Sequence, residues 1–481
     1  MLRAYSKSAG TGKRRERRRS RSDGRRVAAD YGAALLASLD IARPDRLHEL
    51  ARDDVHPALA WAASGSMALT GTADGPPALA PGHLAAAAHG AASAFAALAQ
   101  ASLADTLDGA ALLGERAALL GLSRRGTTSA GGHCRLVRAR DGWIAVNLPR
   151  PDDLATVPAW LERACDADPW ETITHAAGER AAASLVARGR LLGLAVAPAA
   201  PPADVPTPWC RVAAQGDAVS RDDHAPPLVV DLSSLWAGPL AAHLLQRAGA
   251  RVVKIESAHR PDGTHRGPAP FFDLLHAGKE SVVLDFTTAA GGAALRRLIA
   301  RADIVIDSAR PRATAHLGVD PAVLVRARPG LTWISITGYG RTGHGKNWIA
   351  FGDDAASAAG LAHATGTLAD SATPLFCGDA IADPLTGLHA AVAALGAHRQ
   401  GGGVLLALAL RDVAAHAVAF GPSVSPATVH TTRRQDGAPE ETVTADGVRQ
   451  AVLPPRARPS LGAARPFGAD TDAVLRALDV H

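Results

Sequence analysis

The chain has 481 residues, 47% of them hydrophobic and 20% charged, with a formal net charge of +5. That length accommodates two or three domains with a large core. No apolar run approaches the roughly eighteen residues of a membrane helix, which argues against a spanning segment.

The charge is unevenly placed. Residues 1–26 hold eleven Lys/Arg against Glu16 and Asp23, so the remainder is acidic by about four charges. The stretch from Lys13 to Arg26 has almost no apolar residue and reads as a solvated, disordered tail. It lacks the apolar core of a secretory signal. A nucleic-acid role for this arm ranks below the other readings. The four cysteines, Cys134, Cys165, Cys210 and Cys377, are widely spaced without a CxxC pair. This fits a reducing, cytoplasmic setting and argues against a zinc site or a disulfide scaffold.

Residues 27–220 show no βαβ rhythm. Ala60–Leu69 ends in Thr70-Gly71, Asp74-Gly75-Pro76-Pro77 follows, and Leu84–Leu98 is an alanine-rich helical run. Gly131-Gly132 leads into His133–Arg138, an Asp141-Gly142 turn and Trp143–Leu148, a β-hairpin pattern that predicts a small β-containing domain. Pro198–Pro208 reads as a linker and Gly216–Pro227 as a second breakpoint.

From residue 227 the pattern changes. Leu228–Leu232, Arg251–Ile255, Ser281–Phe286, Ile304–Asp307 and Leu331–Ile336 read as strands. Helical runs sit between them at Leu240–Ala248, Ala289–Ala302 and Pro321–Ala327. That alternation predicts an α/β domain with a doubly wound, mostly parallel, Rossmann-like sheet. Its first strand leads to Trp236-Ala237-Gly238-Pro239 rather than GxGxxG. That turn is either a helix start facing a phosphate or a plain structural turn. Asp354–Ala364 and then Leu385–Ala397 read as further buried helical segments, the second preceded by Asp383. Residues 421–464 read as extended and Asp470–Leu478 as a last short helix. The segments SGSMALTG and AGLAHATG share G-x4-TG, and each precedes an alanine-rich helix, which suggests a diverged internal duplication.

The strings VVDLSSLWAGPLAAHLLQRAGARVVKIE, AGKESVVLDF, ADIVIDSARPRATAHLGVDP, RPGLTWISITGYGRTG and ADPLTGLH, in that order, resemble the family III CoA-transferases, also called the CaiB/BaiF family. They cover about residues 227–400. Residues 27–220 resemble the later part of a member, without its sheet. The resemblance implies a Rossmann-like domain at 227–345, connecting helices at 346–420, a C-terminal return segment at 421–481, and a smaller α+β domain in the first copy. It also implies the interlocked architecture of the family's dimers, built within one fused chain, with self-association left open.

The family's chemistry, carried over residue by residue, is as follows. An Asp attacks the thioester carbonyl of an acyl-CoA, giving a mixed anhydride and a CoA thiolate, and an aspartyl-CoA thioester carries CoA between half-reactions. The family's nucleophile precedes a helix glycine by four residues, as Asp383 precedes Gly387. Asp379 is the next candidate, followed by Asp353 and Asp354; a helix-capping role for Asp383 stays open. The corresponding position of the first copy is Ala86, so that copy is expected to be catalytically silent.

Family position also suggests Trp236, Ala237, Gly238, Leu284, Ser308 and Arg310 as CoA neighbours, and Gly131-Gly132 as the glycine loop that closes over the nucleophile or else an ordinary hairpin approach. Trp236, Ser257, Ser308-Ala309 and His316 depart from family residues, and Arg310 with Arg312 would replace the lost phosphate charge. The implied activity is acyl-CoA:carboxylate CoA-transfer, with acyl-CoA and a carboxylic acid as partners and no permanent cofactor or metal. The alternatives are α-methylacyl-CoA racemization, which lacks its usual His near Asp353, and a non-catalytic CoA-binding homologue.

Overall fold

The computed structural model describes residues 27–51, 55–99, 107–165, 168–202, 207–221, 225–369, 371–433 and 439–479. The basic segment 1–26 lies outside them.

The strands are β1 (Cys134–Ala139), β2 (Gly142–Asn147), β3 (Ala195–Pro198), β4 (Cys210–Gln215), β5 (Leu228–Leu232), β6 (Arg251–Ser257), β7 (Glu280–Leu284), β8 (Ile304–Asp307), β9 (Thr332–Thr337), β10 (Val404–Ala409), β11 (Thr428–Arg433), β12 (Pro439–Ala445) and β13 (Val448–Ala451). Seven of them form one sheet in the order β4-β10-β9-β8-β5-β6-β7. It is parallel except for β4, which pairs antiparallel with β10. The reversal of chain order beside β5 makes the doubly wound topology expected from the sequence.

Two sheet strands have no counterpart in the sequence reading. β10 follows the glycine run 401–403, and β4 comes from the range 27–220, which read as sheetless. That range therefore closes one edge of the main sheet. The tail, read as extended, forms the antiparallel sheet β11-β12-β13.

The small domain is the antiparallel sheet β1-β2-β3 with helices Pro151–Leu161, Pro169–Glu179 and Ala182–Leu191 around its own core. Its hairpin turns one residue earlier than expected, because Ala139 pairs with Gly142 and leaves Arg140-Asp141 as the loop.

Close helix crossings join the two halves. Ala382–Arg399 packs against Ala237–Arg247 and Leu84–Ala99. A Cβ on Gly387 would stand 2.8 Å from the Ala237 carbonyl oxygen, so glycine permits that approach. The buried His389 ties the same helix to the first half: its Nδ1–H donates to the Leu385 carbonyl at 2.7 Å, which leaves Nε2 to accept from the Tyr31 hydroxyl at 2.7 Å. Burial pushes that imidazole down to about 3, so it stays neutral.

The C-terminal segment crosses both halves. Leu453 N–H donates to the Ala62 carbonyl at 2.9 Å, Arg458 ion-pairs with buried Glu115, and Ser281 N–H on β7 donates to Asp470 at 2.9 Å. Among the described residues, no helix is long and apolar enough to cross a membrane.

Candidate active site

Asp383 is the second residue of the helix Ala382–Arg399, not its cap; the N-cap position is Ile381. The preceding turn is tight. Gly378 and Ala380 both have positive φ, at +69° and +43°. A left-handed alanine costs about 1 kcal/mol or more, and it is held here by the Ala380 N–H, which donates to Asp353 at 2.9 Å. A Cβ on Gly352 would meet the Ala380 carbonyl oxygen at 2.2 Å and Asp383 Oδ2 at 2.5 Å. Only glycine therefore lets the helix Gly352–Ala358 begin against this turn, and its first N–H donates to the Asp383 carboxylate.

Four carboxylates converge here: Asp353, Asp354, Asp379 and Asp383. Asp353, Asp354 and Asp379 are buried, whereas Asp383 keeps part of its surface open. Burial, reinforced by Asp379, pushes Asp353 up to about 6. Burial also pushes Asp354 up to about 7, against hydrogen bonds from Asn147 Nδ2 at 3.0 Å and the Phe351 N–H at 2.9 Å. Asp383 is pushed up to about 7 by desolvation and then by Asp353 and Asp379, while Arg116 and the Gly352 N–H oppose the rise.

The opposing cation comes from the first half. Arg116, on the helix Glu115–Leu120, grips Asp379 with both arms of its guanidinium, Nε–Oδ2 at 2.9 Å and Nη2–Oδ1 at 2.5 Å. The same guanidinium lies 5.4 Å from the centre of the buried Trp236 ring. The sequence reading missed it, since nothing local marks a residue whose partner lies 263 positions away.

The other expected site residues divide into two groups. Trp236, at the start of the helix Ala237–Arg247, and Gly131 both meet the Arg116 side chain; a Cβ on Gly131 would be 3.2 Å from Nη2. The neighbouring Ser129 hydroxyl bonds Asp353. Gly132, at φ +83°, turns the chain beside Arg125. Ala237 and Gly238 are buried, Ala237 under Gly387 and Gly238 against the Ser233 side chain.

The remaining three are not gathered around Asp383. Leu284 is a core residue at the end of β7. Ser308 accepts the Ser234 N–H at 3.0 Å. Arg310 lines a cleft of about 1260 Å³ with Arg312, Arg138 and Arg190, which also contains Trp143 and Trp348. Arg190 lies 3.9 Å over the Trp348 ring. Among the described residues no group of His, Cys, Asp and Glu is arranged to hold a metal.

The β5 turn is itself braced. Leu235 has φ +71°, and its N–H donates to Asp262 at 3.0 Å; Lys254 holds Asp262 at 3.1 Å. Lys279 pairs with Asp231 at 2.9 Å beneath the same turn, and burial pulls its amine down to about 8.

A doubly wound α/β sheet whose edge and connecting helices gather buried carboxylates around one partly open aspartate defines an α/β protein with a candidate acidic nucleophile. The chain matches the model of CoA-transferase family III over residues 227–447. It is 32% identical over 209 residues to a succinate–glutarate CoA-transferase of Agrobacterium fabrum, covering 39% of this chain and 52% of that protein. It is 30% identical over 195 residues to a formyl-CoA:oxalate CoA-transferase of Escherichia coli, covering 38% and 46% respectively. A crystal structure of a CaiB/BaiF family protein from Brucella suis aligns at 26% identity and a TM-score of 0.38, over 46% of this chain and 65% of that one. The chain thus spans about half the length of the curated relatives it matches.

Proposed function

We propose that the chain is an acyl-CoA:carboxylate CoA-transferase with Asp383 as its nucleophile. The observation that carries this reading is that Asp383, alone among the four clustered carboxylates, is partly open to solvent while a backbone N–H and an arginine favour its ionised form. A carboxylate oxygen of Asp383 attacks the thioester carbonyl, a C–O bond forms, the C–S bond breaks, and CoA leaves as thiolate. The thiolate then attacks the aspartyl carbonyl of the mixed anhydride. This releases the donor acid as its carboxylate and leaves an aspartyl-CoA thioester, which the acceptor carboxylate opens in the reverse sequence. Burial of the surrounding carboxylates and Trp236 keeps water from these hydrolysable intermediates.

The arginine-lined cleft supports a place for the phosphate-bearing end of CoA, beyond the carboxyl ends of the strands where ligands of such sheets bind. Asp383 does not line it. A pantetheine arm would pass the Phe351 turn, over which Arg150 lies at 5.9 Å, to reach the aspartate.

The test is isotope exchange between an acyl-CoA and its free acid, compared in the wild type and Asp383→Ala. Loss of exchange in a variant that keeps its circular dichroism is expected; unchanged exchange sinks the assignment.

One observation favours the racemase reading as the alternative. Burial pushes Asp353 up to about 6 and Asp354 up to about 7, so both carboxyls hold protons closer to neutral pH than an ordinary carboxylate and could serve proton exchange without a histidine. Deuterium entry at the α-carbon from heavy water, with no acceptor present, would select it.

A further inference from the structure

Arg116 is fixed from both sides. Its neighbour Glu115 is buried and pairs with Arg458, whose N–H also donates to it at 3.1 Å, so the C-terminal segment pins the helix Glu115–Leu120 in place. Arg116 itself is one-quarter exposed and spans the distance from that helix to Asp379, with Trp236 beneath it and Gly131 leaving room above. The charges that act on Asp383 are Arg116 from the first half, Asp353 from the helix Gly352–Ala358 and Asp379 from the preceding turn. The remaining acidic groups are engaged elsewhere: Asp354 takes its hydrogen bonds from Asn147 and Phe351, and burial keeps the nearby thiol of Cys134 and phenol of Tyr339 protonated. His389, further along the helix of Asp383, is bonded to Tyr31 and neutral.

We propose that Arg116 is a positioning residue, supplied by the half of the chain without a nucleophile, that sets how readily Asp383 ionises and so the pH at which the site can react. The proposal rests on Asp383 being the nucleophile. The physical argument is one of unequal numbers. Three carboxylates share a poorly solvated space with one guanidinium, and like charges at such distances resist ionising together. Arg116 satisfies Asp379 through a bidentate pair, the strongest geometry available to it, and its remaining field falls on Asp383 and Asp353. A neutral residue at 116 would leave the cluster without that cation, and Asp383 would hold its proton to higher pH.

The experiment is an infrared titration of the buried carboxyl groups in the full, substrate-free chain. Asp383→Asn identifies the Asp383 band, and wild type, Arg116→Gln, Arg116→Lys and Asp379→Asn are then compared. Arg116→Gln should move the Asp383 midpoint up by about one pH unit or more. Arg116→Lys should keep most of the wild-type position, and Asp379→Asn, which removes one anion and frees the guanidinium, should move it down. The pH at which acyl-CoA forms its covalent adduct half-maximally should shift in the same directions. A midpoint that stays put in folded Arg116→Gln overturns the proposal. If that variant does not fold, an unmoved midpoint in Asp379→Asn does so. An adduct mapped to a residue other than Asp383 would remove the nucleophile reading while leaving the infrared result standing, so the two failures are told apart.

Discussion

The helices Leu84–Ala99 and Ala382–Arg399 are both rich in alanine, lie against each other, and are put to different uses. Each has a glycine four residues after the position compared, Gly90 after Ala86 and Gly387 after Asp383. Both glycines admit another helix: a Cβ on Gly90 would meet the Ala28 carbonyl oxygen at 2.3 Å, and one on Gly387 would meet that of Ala237 at 2.8 Å. The glycine therefore marks a helix crossing in both helices and says nothing about chemistry. What differs is the surroundings of the position one turn earlier. Ala86 packs on Ala28, Ala29 and Ala51. Asp383 faces an N–H, a guanidinium and two further carboxylates.

The largest test of this contrast is Asp383→Asn, which should lower CoA exchange by about a thousandfold or more. Adding Ala86→Asp to that variant should restore nothing, and recovered exchange would erase the distinction between the two helices. Next, Gly90→Ala should cost about 1–3 kcal/mol through overpacking, and Gly387→Ala somewhat less because its contact is looser. Denaturant midpoints measure both, and a stabilised Gly90→Ala would contradict the crossing. Tyr31→Phe removes the hydroxyl that His389 accepts from across the halves and should cost about 1 kcal/mol in the same assay.

The last test is of pH dependence. Asp353, Asp354 and Asp383 hold protons in the folded chain to about 6, 7 and 7, well above the usual 3.8. The folded state therefore binds more protons than the unfolded state between those values. Their contribution is fully present below about 4 and is lost as pH rises through about 7. Tm measured across that window should fall more gently in Asp354→Asn than in wild type.

The first five strands of the parallel sheet were legible because each is a short apolar run followed by a helical one. β10 was legible too, as VLLALA after a glycine run, but was absorbed into the expected helical region. β4 was not: CRVAAQ is an exposed edge strand with little apolar alternation, and its partner β10 lies nearly two hundred residues away. Asp383 was singled out through its spacing to Gly387, a spacing the structure explains as helix packing. Arg116 and the upward shifts of Asp353 and Asp354 arise from long-range burial, which no local pattern encodes.

The central claim is one nucleophile, in the second helix. It is tested most directly by incubating the full chain with a panel of acyl-CoAs, reducing with borohydride, and locating the modified residue by mass spectrometry. The account predicts a single modified position, Asp383, reduced to homoserine. Modification at Asp379 or Asp353, or CoA bound with no covalent adduct under any donor, would contradict it.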